Sequence, residues 1–220
     1  MPRPAELTGR MADSAGVASA QTDDMSHKSV HIDASTRAEW QRLQRVDAAT
    51  ASEFYFEHIL PQVVQHHQEL PSEVAPCDLL VSLSGFSPET TVLATTFMRP
   101  RRLVVVASQS TESYSQQSTG FLVKTGLMSA DRIETRIVEP SDPEALLANF
   151  EDILSNAFGK CVVDVTGGKK IMSAVAAHAA WERGLAVCYV ESGAYNPEMR
   201  RPEPGSERIV VIAPPARLVE

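Results

Sequence analysis

From Cys77 to Ile212 the chain alternates short runs of Val, Leu and Ile with longer segments in which apolar residues recur at helical spacing. The runs Asp78–Leu83, Leu103–Ala107, Ile133–Val138, Cys161–Val165 and Ala186–Val190 are continuous, as strands buried on both faces are. Between them Pro88–Met98, Tyr114–Leu127, Pro143–Ala157 and Lys169–Arg183 read as helices. This order predicts an α/β fold: a Rossmann-like, mostly parallel sheet of about six strands, flanked by helices. The last strand, Arg208–Ile212, follows a loop rich in Pro, Gly and Arg with no crossover helix, which predicts antiparallel pairing with its predecessor.

The first 76 residues follow another pattern. Residues 1–34 are small and polar without periodicity and are expected to be disordered; Met11 and Met25 are alternative starts. Residues 35–76 read as a helical extension. Thr36-Arg37-Ala38-Glu39 has the form of a capping box, in which Thr and Glu satisfy free backbone donors reciprocally. Trp40, Leu43, Phe54, Ile59 and Val63 form a rough apolar stripe, and Pro61 is expected to kink or divide it. Such stripes ordinarily mark packing, so the extension is read as an arm against the main domain, residues 77–220, with dimerisation or partner docking as the sharper alternative.

Two turns carry candidate chemistry. Ser84-Gly85-Phe86-Ser87-Pro88 follows the first strand, and Thr166-Gly167-Gly168-Lys169-Lys170 follows the fourth. In a sheet of order 3-2-1-4-5 these strands are neighbours at the topological switch point, outside whose carboxyl ends ligands bind. Each turn opens a helix, whose free N–H groups and dipole favour an anion. Ser87 is expected to be the N-cap and Pro88 the first helical residue of one of them. Gly167 and Gly168 would let a phosphate approach the backbone, and Lys169 and Lys170 add charge. The bland alternative is a tight turn with solvated lysines. Ser108 and Thr111, after the second strand, offer hydroxyls for a ribose or base at the same edge, or form an ordinary polar loop. Asp164 is read as organising its turn and His178 as a packing residue, and the role of Glu191 and Ser192 is open. The spacing of a Walker A loop is absent, with Ile171 following Lys170, and no GxGxxG follows the first strand.

Composition narrows the classes. A net charge of −8 argues against binding duplex DNA through a basic surface, although residues 77–220 are closer to balance, at −3, than residues 1–76, at −5. No apolar run is long enough to span a bilayer, and no secretory signal is visible. Cys77, Cys161 and Cys188 form no CxxC pair and are expected to be reduced, buried and inert, which fits a cytoplasmic protein. No metal or cofactor is expected.

Asp164-Val165-Thr166-Gly167-Gly168-Lys169-Lys170-Ile171-Met172 resembles the DxTGGxKxM signature of CARF (CRISPR-associated Rossmann fold) domains, and Val81–Pro88 resembles their first strand and turn. The resemblance covers about residues 77–213. It implies a homodimer binding a cyclic oligoadenylate, most commonly the tetra-adenylate made by type III CRISPR complexes, across its two-fold axis. The implied site is Ser84, Gly85, Phe86, Ser87, Ser108, Thr111, Thr166, Gly167, Gly168, Lys169 and Lys170. Lys170 matches the motif lysine, and the serine of the first turn is Ser84 or Ser87. Larger members carry an effector domain after this one. Here only a few residues follow Ile212, so an effector activity within the chain is not expected.

Three functions follow for comparison. One is a sensor that signals through a separate effector protein. The second is a metal-independent ring nuclease, with Lys170 and Ser84 as candidate catalytic residues, that cleaves the messenger to a 2′,3′-cyclic phosphate. The third is an unrelated Rossmann-like nucleotide enzyme or a structural dimer.

Overall fold

The computed structural model describes residues 30, 32–71, 74–197 and 201–214. The strands are β1 (Leu79–Leu83), β2 (Arg102–Ser108), β3 (Ile133–Val138), β4 (Cys161–Asp164), β5 (Ala186–Ser192), the two-residue pair β6 (Tyr195–Asn196) and β7 (Arg201–Pro202), and β8 (Glu207–Ile212). The main sheet has the order β3-β2-β1-β4-β5-β8, parallel except for β8, which runs antiparallel to β5. This is a Rossmann-like α/β fold, and the antiparallel last strand is where the missing crossover helix put it.

The helices are α1 (Ala34–Val46), α2 (Ala48–Phe54), α3 (Leu60–Glu69), α4 (Glu89–Met98), α5 (Glu112–Lys124), α6 (Pro143–Ser155) and α7 (Lys170–Glu182). Alternate residues of the central strands face opposite layers, as strand geometry requires. Leu79, Val81 and Leu83 of β1, with Val104 and Val106 of β2, pack against Leu146 and Phe150 of α6 and Met172 and Ala176 of α7. Leu80, Leu103, Val105 and Val162 point the other way, towards Val92 and Leu93 of α4 and Leu122 of α5.

The N-terminal helices join this second core. Trp40, Tyr55, Phe56, Ile59, Leu60 and Val63 are buried in one cluster with α4, α5 and the sheet. The rings of Phe56 and Phe121 meet edge to face at 5.7 Å. The packing role expected of the extension is the one the structure has. Residues 1–29 and 31, where disorder was expected, lie outside the described residues. Val30 and Ile32, within that same stretch, are buried. Val30 sits over Gly205, which has φ 82° and no room for a Cβ.

Two local expectations for the extension are corrected. Thr36 does not cap α1, because the helix begins two residues earlier, at Ala34. Asp33 is the N-cap, its carboxylate accepting from the Thr36 N–H at 2.9 Å and the Thr36 hydroxyl at 3.0 Å. An ionised carboxylate is the stronger acceptor for free helix donors. Pro61 does not simply kink the stripe. The turn before it, Tyr55–Ile59, widens to a π-helix, and α3 restarts with the proline in its first turn, where its missing N–H costs nothing. The stripe is also divided earlier, at Asp47, which caps α2 through the N–H groups of Ala49 and Thr50.

Because the arm shares a core with the sheet, the two should unfold together. Leu60→Ala removes a fully buried side chain and is expected to cost about 2–5 kcal/mol. Urea denaturation followed by tryptophan fluorescence (Trp40 in the arm, Trp181 in α7) should give one shared transition at a lower midpoint. Separate transitions for the two reporters would mean the arm is its own unit.

Candidate functional site

The carboxyl ends of β1 and β4 lie side by side, with Ser82 paired to Asp164 across the register. Asp164 is fully buried. Its carboxylate accepts from the Ser82 hydroxyl at 2.6 Å, the Thr166 N–H at 3.0 Å and the Thr166 hydroxyl at 2.5 Å. Burial pushes its pKa up, and these hydrogen bonds oppose the rise. Thr166 in turn accepts from the Val190 N–H at 2.8 Å, tying β5 to the turn. Asp164 thus organises the loop, as expected of it, and the Thr166 hydroxyl is committed inside the protein.

Beyond Thr166 the two turns touch backbone to backbone. A Cβ on Gly167 would overlap the Leu83 carbonyl oxygen and stand 2.8 Å from the Gly85 nitrogen; one on Gly85 would stand 3.0 Å from the Gly168 nitrogen. Gly168 has φ 77°, a conformation that glycine adopts without strain. Glycine is therefore required at Gly167 by contact and at Gly168 by backbone angle. The turn leads into α7, whose N-cap position is Lys169 and which no side chain caps. Its first N–H groups have no intrahelical acceptors. Lys169 and Lys170 are both exposed, and neither makes an ion pair among the described residues. Ser173 braces the turn through the Val165 and Gly167 carbonyls.

The first turn departs from expectation. Helix α4 begins at Glu89, with Pro88 in the cap position and no side-chain cap. The Ser87 carbonyl, not its hydroxyl, accepts from the Thr90 N–H at 3.2 Å and from the Thr90 hydroxyl at 2.8 Å. Ser87 therefore keeps an exposed side chain. Ser84 is the reverse. It is 1% exposed, its hydroxyl has no hydrogen-bond partner, and it is sealed beneath the turn. Of the two serines considered, Ser87 is the one a ligand can reach, while contact with Ser84 would require the turn to open.

Ser108 and Thr111 are also buried and are bonded to each other. The Ser108 N–H donates to the Thr111 hydroxyl at 3.0 Å, and the two hydroxyls lie 3.1 Å apart. They shape their own turn, and the exposed groups there are Gln109 and Ser110. His178 is exposed on α7 instead of packed, because α7 turns its alanines, not this face, to the sheet. Glu191 is bonded to its cross-strand neighbour Arg208, with the guanidinium 2.7 Å away.

One residue was missed from the sequence. Phe86 projects from the first turn, 68% exposed, and Tyr114 of α5 meets it edge to face at 5.4 Å. An exposed Phe86 backed by a half-buried Tyr114, beside a phosphate-sized backbone cradle, suits a stacked base. The signal was weak, because Tyr114 lies far from the turn in sequence and was read only as the start of a helix.

No protein-family model and no curated protein matches the sequence. Solved structures resemble it at low identity. Can2 from Sulfobacillus thermosulfidooxidans, in complex with cyclic tetra-adenylate, is 20% identical over 57% of this chain and 36% of that chain, with a TM-score of 0.46. Enterococcus italicus Csm6, bound to cyclic hexa-2′-fluoro-hexa-dAMP, is 14% identical over 63% of this chain and 43% of its own, also at 0.46. An O-methyltransferase family protein from Burkholderia thailandensis is 12% identical over 70% and 45%, at 0.38. This chain spans less than half the length of each.

Gly167→Ala is expected to destabilise the fold by about 1–3 kcal/mol, since two backbones must part. Gly168→Ala should cost about 1–2 kcal/mol through backbone angle alone, with its contacts intact. Comparing the denaturation midpoints of the two variants checks this. For Asp164 the folded pKa lies above the unfolded one, so its contribution to stability is complete below the ordinary Asp value and is lost as pH rises through the folded value. Asp164→Asn should flatten that part of the stability–pH curve, measured by thermal melts from pH 3 upward.

Proposed function

We propose that the chain binds a cyclic oligoadenylate, with tetra-adenylate the first candidate, at the paired turns of β1 and β4, across a homodimer, as part of type III CRISPR defence in the cytoplasm. The observation that carries this reading is the Thr166-Gly167-Gly168 turn. It is seated on Leu83 and Gly85 with no space between the backbones, and it opens an uncapped helix flanked by Lys169 and Lys170. Such a cradle suits a phosphodiester: N–H groups and a helix dipole for the anion, and ammonium groups at its rim. The resemblance of Asp164–Met172 to the CARF signature makes the phosphodiester that of an adenylate ring. Phe86 and Tyr114 supply a stacking face for its bases. Two copies related by a two-fold axis would present these groups to the two halves of a symmetric ring.

The site supports binding more directly than turnover. Cleavage would require a ribose 2′-oxygen to attack the adjacent phosphorus in line while the 5′-oxygen leaves and takes up a proton, giving a 2′,3′-cyclic phosphate and a linear product. Lys170 and the α7 N–H groups can stabilise the charge that develops on the phosphate. Ser84, the other catalytic candidate, has no exposed hydroxyl to offer. A sensor that passes the signal to a separate effector protein is therefore the primary reading, and a slow ring nuclease the second.

The deciding experiment incubates the protein with radiolabelled cyclic tetra-adenylate, without metal, and resolves ring from products. Intact ring co-eluting with a dimer is expected, with affinity at least tenfold weaker in Lys170→Ala. Linear product that disappears in Lys170→Ala would make the protein a ring nuclease. No binding of tetra- or hexa-adenylate by folded protein would leave the unrelated nucleotide enzyme or structural dimer.

A further inference from the structure

The main sheet ends on two edges of different character. β3 carries Glu134 and Arg136 among its apolar residues, and Arg136 is bonded to both Glu134 and Asp152. Charges on an edge strand deter pairing with another chain. β8 has no such guard over Ile209-Val210-Val211-Ile212, a run without charge, proline or glycine. The ladder with β5 sets which of its backbone groups are used. The Gly193 N–H donates to the Ser206 carbonyl at 2.7 Å, and Ser192 stands opposite Glu207. Antiparallel alternation then gives the bonded pairs Glu191–Arg208, Tyr189–Val210 and Val187–Ile212. The N–H and C=O groups of Ile209 and Val211 therefore point outward, away from β5.

The side chains beside this edge are uncovered as well. Val187 of β5 is buried with α7, but Tyr189 on the same face is 44% exposed and Ile212, across from Val187, is 43% exposed. The chain passes from β5 to β8 through the short pair β6–β7 and not through a crossover helix of the kind that covers the other strands. On the opposite face Val211 is 43% exposed. Apolar side chains exposed on both faces of an unpaired strand are what sheet edges ordinarily avoid, and they mark an interaction surface.

We propose that β8 pairs antiparallel with β8 of a second copy of this chain about a two-fold axis at Val211, joining two six-stranded sheets into one. A second copy fits because the strand is complementary to itself in this register. Val211 opposes the partner's Val211, Val210 the partner's Ile212, and Ile209 the partner's Ala213, so every opposed pair along the seam is apolar. Arg208 falls opposite the partner's Pro214 and keeps its own Glu191, 2.7 Å away. Centring the pair on Glu207 or Arg208 would instead set like charges against each other. The axis also separates this interface from one that shares a ring. It runs β4 of the two copies in opposite directions, so their glycine turns open at opposite ends of the joint sheet. The proposal therefore does not rest on the oligoadenylate reading. If both hold, β8 links ring-binding pairs into larger assemblies.

The test uses the full chain without ligand. Sedimentation velocity over a concentration series should show self-association, and Val211→Pro should weaken it at least tenfold by removing an outward N–H at the centre of the seam. That substitution spares the ladder to β5, which the Val211 N–H does not serve. Val211→Lys, which sets two ammonium groups on the axis, takes its place if the proline variant does not fold. The register is read with dibromobimane, which bridges only thiols that lie close together. Val211→Cys should give a cross-linked dimer, because Cα atoms opposed in a bonded pair are about 5.5 Å apart. Ala213→Cys, equally exposed, should not, because its counterpart lies four residues along the partner strand, about 14 Å away. The native cysteines are buried and do not compete. A monomer at every concentration overturns the proposal. So does association unchanged by the Val211 variants, equal cross-linking of the two cysteine variants, or no cross-link in associated Val211→Cys. Association that appears only after residues 215–220 are removed also overturns it, since the chain itself would then occupy the edge.

Discussion

The carboxyl edge of the central sheet depends on two stretches of backbone being able to touch. The turn after β4 lies on the turn after β1 with glycine on both sides, and no side chain of any kind fits between them. That approach is possible because the sheet order makes β1 and β4 neighbours although about eighty residues of chain separate them. It is held by a carboxylate with no exposure to water. Asp164 gathers a hydroxyl from β1 and two donors from its own turn, and Thr166 passes the constraint on to β5. The interaction is expensive to bury and strong once satisfied, which is how a loop is fixed in one conformation.

Most hydroxyls at this edge serve the loops themselves. Thr166, Ser108 and Thr111 are bonded internally, and Ser84 is covered. What remains for a ligand is rigid backbone, the start of α7, two lysines, Ser87 and an aromatic pair. For the proposed ligand, a polyanion with bases, these groups would form a surface that needs little rearrangement.

Much of this was legible in the sequence, for definite physical reasons. Continuous apolar runs mark strands buried on both faces, so the strand bounds could be read to within a residue or two, and the missing crossover helix gave the antiparallel last strand. The glycine turn was legible because adjacent glycines, Gly167 and Gly168, at the end of a buried strand mark a backbone that must turn tightly or be approached closely. Less legible was which polar side chains face outward. Ser84 and Ser87 are three residues apart in one turn, and only the path of the chain into α4 decides that one is sealed and the other open. The same holds for Ser108 and Thr111 against Gln109 and Ser110. The meeting of Phe56 with Phe121 could not be read from the sequence at all, since it depends on how the arm packs on α5.

The three cysteines have a practical consequence. All are buried, and burial raises the thiol pKa to about 11 for Cys77, about 12 for Cys161 and further for Cys188. At neutral pH the native chain therefore presents almost no thiolate to a labelling reagent. A single cysteine introduced at the exposed Phe158 position would react alone, without first removing the native ones. Spectroscopic labels can thus be placed one at a time on an otherwise unaltered protein.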